Sequence, residues 1–72
     1  MERKNLLEQI KKLCDLAELR HSQVKTPNLK LDTFCSWKVL EVVLKEADEY
    51  EDNYTEELLE SIIKEYSWLG EI

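Results

Sequence analysis

The chain has 72 residues, 43% of them hydrophobic and 36% charged, with a formal net charge of −6 at pH 7. That length holds one domain, residues 1–72, and so short a chain buries only about 60% of the surface it exposes when unfolded. One Gly and one Pro leave few tight turns, which argues against a sheet protein and for helices joined by few connections. The expected fold is all-α, a small three-helix bundle with a long packed loop between helices one and two.

The first residues, Met1-Glu2-Arg3-Lys4-Asn5, run directly into an amphipathic pattern, with no apolar leader core and no cleavage site. No apolar run reaches the ~20 residues of a membrane span. Cys14 and Cys35 make no disulfide framework, so a reducing, cytoplasmic setting is expected.

Periodicity predicts a first helix over about 3–20. Leu6, Ile10, Leu13 and Ala17 recur at steps of four, three and four, and Leu7 and Cys14 widen the stripe. Leu16 and Leu19 fall off it. Asn5 is the expected cap, with Glu8 in the capping-box position.

Residues 21–31 read as a connection of eleven residues, because Pro27 disfavours the α region at Thr26. Val24, Leu29 and Leu31 are expected to lay this loop back over the helices. A second helix follows over about 33–52, capped by Asp32 or Thr33. Trp37, Leu40, Val43, Leu44 and Ala47 form its main stripe, continued by Tyr50 and Tyr54, while Phe34, Cys35 and Val42 lie on the far side. A helix apolar on two sides is expected to be the central one.

A third helix is expected over about 55–69. Asn53 or Thr55 caps it, and Glu56 and Glu57 fill its first turn. Tyr54 is placed to staple onto Leu59 if Thr55 is the cap. Leu58, Leu59, Ile62, Ile63, Tyr66 and Leu69 keep the helical beat, and Gly70 is placed to end it in a left-handed conformation. Trp68 points off the stripe and needs cover.

None of the residues forms a recognisable reaction centre. Cys14, His21 and Cys35 have the spacing C-x6-H-x13-C, whereas structural zinc takes four ligands that usually arrive in close pairs. The oxygen-rich stretch 48–57 lacks the glycine of a calcium-binding loop. Nothing obliges His21 to meet Ser22, Cys14 or Cys35, and no Gly-rich phosphate cradle exists. Neither an enzyme nor a cofactor nor a bound metal is expected. Nucleic-acid binding is disfavoured too, since Glu8, Asp15 and Glu18 interrupt the cations of the N-terminal half and the chain as a whole repels a polyanion.

Charge placement is the one unusual feature. Residues 1–38 carry eight Lys/Arg and five Asp/Glu; residues 39–72 carry two Lys and eleven Asp/Glu. Asp48, Glu49, Glu51 and Asp52 crowd the C-terminal end of the second helix, where the macrodipole favours cations and each misplaced charge costs ~0.3–1 kcal/mol. A local rule broken without local gain points to function. The partner-binding residues expected on this ground are Asp48, Glu49, Tyr50, Glu51, Asp52, Tyr54, Glu56 and Glu57, meeting another protein with a basic surface. The charges set the on-rate and the tyrosines anchor. Such a domain is a non-enzymatic adaptor or inhibitor, with acidic groups that mimic nucleic-acid phosphates. The alternative is a structural subunit of a larger assembly or a homodimer, held through Phe34, Val42 and Trp68.

Overall fold

A computed structural model describes residues 2–72, and every regular element among them is helical. Helix α1 spans Arg3–Gln23 and helix α2 spans Pro27–Glu49. A single 3-10 turn, Glu51–Asn53, leads to helix α3 over Glu56–Glu65, and a second, Ser67–Gly70, follows it. The expected three-helix architecture is present. The long packed loop is not.

Only residues 24–26 separate α1 from α2. Pro27 is the reason, and it acts in the opposite sense to the one expected. It occupies the first turn of α2, where its missing N–H is needed by no carbonyl and its fixed φ suits the helix. The restriction it imposes on Thr26 is met, because Thr26 is the extended N-cap at φ −72° and ψ 126°. Leu29 and Leu31 therefore lie within α2.

Thr33 is likewise inside the helix and not at its start. It is fully buried, and its hydroxyl donates to the Leu29 carbonyl at 2.8 Å. Ser36, 4% exposed, donates to Asp32 O at 2.7 Å. Both hydroxyls satisfy themselves on their own helix, one turn back. Small groups at these positions, with Ala17 and Ala47 also buried, present little bulk where α2 faces the rest of the core.

The core consists of Leu6, Ile10, Cys14 and Ala17 from α1, Leu40 and Val43 from α2, Leu59 from α3 and Leu69 from the last turn. The α1 stripe is the one its periodicity predicts. The order of packing differs, however: α1 packs against α2, against α3 and against the terminal 3-10 turn, so α1 and not α2 is the central helix. The second apolar face of α2 stays uncovered, with Leu31, Phe34, Val39 and Val42 all exposed.

The helix ends follow local chemistry. Thr55 caps α3, its hydroxyl accepting from Leu58 N at 3.2 Å. Asn5 caps nothing, because α1 already begins at Arg3 with Glu2 as its extended N-cap. Gly70 sits in a 3-10 turn, and no described residue has a positive φ. Trp68, expected to need a neighbour, is half-buried and packs on the core of its own chain.

Candidate interaction surface

The acidic stretch begins where α2 ends. Tyr50 closes that helix, its N–H donating to Glu46 O at 2.7 Å. The backbone then leaves the helical path for the 3-10 turn, held by Asn53 N–H on Tyr50 O at 3.0 Å and Tyr54 N–H on Glu51 O at 3.2 Å. Asp48, Glu49, Glu51, Asp52, Glu56 and Glu57 are all exposed. Among the described residues the one side-chain ion pair is Lys38–Glu41 at 3.8 Å. Among the described residues none of those six carboxylates forms an ion pair. Residues 48–53 line an open depression of about 440 Å3.

The two tyrosines differ in kind. Tyr50 is 55% exposed and is free to anchor a partner. Tyr54 is half-buried against the core, and its hydroxyl donates to Glu46 Oε2 at 2.6 Å. That hydrogen bond to Glu46, then burial and the same carboxylate's charge, raises the Tyr54 phenol above its usual value of 10.0. Tyr54 fixes the turn from beneath and does not stand out from it, unlike Tyr50.

Arg3 is the residue that the sequence reading missed. It reaches from the start of α1 and donates through Nη1 to the Tyr54 carbonyl and through Nη2 to the Ala47 carbonyl at 2.7 Å. Helix α2 has no basic residue in its own last turn. The guanidinium supplies the cation there, partly offsetting the acidic residues against the macrodipole. A signal existed, since Arg3 precedes Leu6 by three residues and so shares the buried face of α1. Arg20, three residues after Ala17, does the same at the opposite end, donating from Nε to the Leu69 carbonyl at 3.2 Å. Each end of the α1 stripe thus carries an arginine that holds the backbone packed there.

Elsewhere the arrangement is structural. His21 Nδ1 lies 3.1 Å from Lys30 O, and its ring stands 5.6 Å from Phe34 and 6.2 Å from Trp37. Cys14 is buried and Cys35 exposed, both as free thiols. Burial, with the charges of Asp15 and Glu41 adding to it, raises the Cys14 thiol above its usual 9.0. Among the described residues no group of three or more His, Cys, Asp or Glu side chains is placed to hold a metal ion. No helix among them is long and apolar enough to cross a membrane.

No protein-family model, no curated protein and no solved structure matches the chain.

Proposed function

We propose that the chain is a non-enzymatic protein–protein interaction module whose acidic turn, residues 48–57, docks on a basic surface of another protein. The observation that carries this reading is the set of six exposed carboxylates that form no ion pair among the described residues, presented on a turn that Arg3 and Tyr54 hold from below. A charged surface on a fixed frame gains electrostatic steering without first having to order a loop. Tyr50 is the anchor, and Tyr54 belongs to the frame. Acidic groups so placed can occupy a site that otherwise takes phosphates, which is how a small inhibitor of a nucleic-acid-binding protein would work. A reducing, cytoplasmic setting suits two thiols that do not pair, one of them buried in the core.

The test neutralises Asp48→Asn, Glu49→Gln, Glu51→Gln and Asp52→Asn together and repeats a pull-down from the organism that makes the chain. The wild type should retain a basic protein that elutes as salt rises, and the variant should lose it. The variant itself should be slightly more stable, since misplaced charges at a helix C-terminus cost ~0.3–1 kcal/mol each. Unchanged recovery by a folded variant removes the acidic turn from the reading.

A further inference from the structure

We infer that the uncovered face of α2 is the interface of an antiparallel, twofold-symmetric homodimer. Leu31, Phe34, Val39 and Val42 are 61%, 42%, 43% and 50% exposed, and Cys35 is exposed among them. At ~100° per residue Leu31, Phe34, Cys35 and Val42 lie on the side of α2 opposite Leu40 and Ala47, and Val39 lies on its flank. Leu31, Cys35, Lys38 and Val42 follow at steps of four, three and four, the spacing of a seam between two helices. Their combined exposed apolar area is on the order of 300 Å2, a size at which a patch on a small protein commonly has a use.

Lys38 does not interrupt this seam. Its ammonium lies 4.2 Å over the Trp37 ring and 3.8 Å from Glu41, so the charge is drawn aside while the methylene stem covers the face.

Shape and charge both select a second copy of the chain as the occupant. A shallow groove of about 370 Å3 is lined by Lys38, Val39, Val42 and Val43, with Tyr54 at its edge. Leu31, the most exposed of the apolar residues, stands on the same helix eleven positions earlier. A twofold axis passing between the two α2 helices, level with positions 36 and 37, sets each Leu31 opposite the second copy's Val42. Knob and groove are then exchanged reciprocally, as an isologous contact requires.

The charges fit the same register. Lys25 and Lys30 outnumber Asp32 at the N-terminal end of α2, whereas Glu46, Asp48 and Glu49 outnumber Lys45 at its C-terminal end. Antiparallel pairing brings each acidic end towards the lysines and the positive helix terminus of the other copy. Parallel pairing would crowd the carboxylates of both copies together. A helix of 23 residues is about 34 Å long, nearly the full 38 Å length of the molecule. Contact along its length adds flanking polar surface to the ~300 Å2 of apolar side chains, towards the ~800 Å2 per partner of a standard interface.

The inference shares Asp48 and Glu49 with the acidic-turn reading, but the two fail separately, because oligomeric state is measured on the purified chain with no other protein present. Sedimentation equilibrium at about 10–100 µM should give twice the 8.6 kDa chain mass. Val42→Glu should give the single chain mass with an unchanged circular-dichroism spectrum. To test orientation, a Leu31→Cys chain is mixed with a Val42→Cys chain, both carrying Cys35→Ala, and treated with a short bifunctional thiol reagent. Cross-links between positions 31 and 42 should exceed 31–31 and 42–42 links. A wild-type monomer at about 100 µM, a dimer that survives Val42→Glu, or an excess of 31–31 links overturns the proposal.

Discussion

Replacing Arg3 by Met should cost the chain about 2–4 kcal/mol, a large share of its stability. The guanidinium makes two hydrogen bonds, to the Tyr54 carbonyl and to the Ala47 carbonyl at 2.7 Å. A bond to a charged group contributes ~1.5–3 kcal/mol where it is well shielded. Arg3 is half-buried, so water can reach the freed carbonyls and roughly half of the summed value remains. Loss of the cation that Arg3 brings to the last turn of α2 adds a macrodipole term of ~0.3–1 kcal/mol, screened by salt. Domains of this size have about 0.05–0.15 kcal/mol of stability per residue, or ~4–11 kcal/mol in all. A 2 kcal/mol loss should therefore lower Tm by about 8–16 °C. Urea unfolding followed by circular dichroism measures it, with an unchanged m value showing that the same surface is exposed. Arg3→Lys keeps the charge but not the fork, and should recover less than half of the loss. If Arg3→Met stays within ~0.5 kcal/mol of wild type, the two bonds are not holding the acidic turn, and the account of its rigidity fails.

Two further tests concern the core and the response to base. Leu40→Ala, at a fully buried position, should cost ~2–5 kcal/mol, whereas Leu19→Ala, at a leucine 49% exposed on α1, should stay within ~0.5 kcal/mol; comparable losses would contradict the assignment of α1 faces. Alkaline stability follows from the raised Tyr54 phenol, held by Glu46, and from the raised Tyr66 phenol and Cys14 thiol, each chiefly displaced by burial. The folded chain keeps these protons more tightly than the unfolded one, so the contribution is complete below about pH 9 and is lost as pH rises through the folded values. Denaturation midpoints measured from pH 7 to 11 should fall above pH 9, and Tyr54→Phe should flatten the upper part of that fall. A midpoint that rises over this range would reverse the sign and refute the assignment.

The two halves of the acidic-turn hypothesis fared differently at the level of side chains. Exposure of the carboxylates was legible because charged residues off an apolar stripe face water. The roles of Tyr50 and Tyr54 were not. Both continue the same periodic pattern, and only the break of α2 at Tyr50 sends one outward and turns the other inward onto Glu46. Phe34 and Val42 lie on an open face, as one of two readings allowed, whereas Trp68 finds cover within its own chain.

By itself the sequence determined what depends on neighbours a few residues apart: three helices, the α1 stripe, the Thr55 cap and the exposure of the acidic turn. Two local features took the other of their permitted roles: Pro27 opens α2 six residues before the expected start, and Thr33, a good cap by type, sits mid-helix with its hydroxyl bonded back to Leu29. Tertiary structure decided the packing. An apolar second face on α2 marked equally a central helix and a surface helix with an open stripe. The choice went to α1, whose long continuous stripe ends in Arg3 and Arg20 and can hold the backbone at both ends at once. Which helix lies in the middle depends on contacts between residues distant in sequence, and periodicity, a strictly local property, carries no information about them.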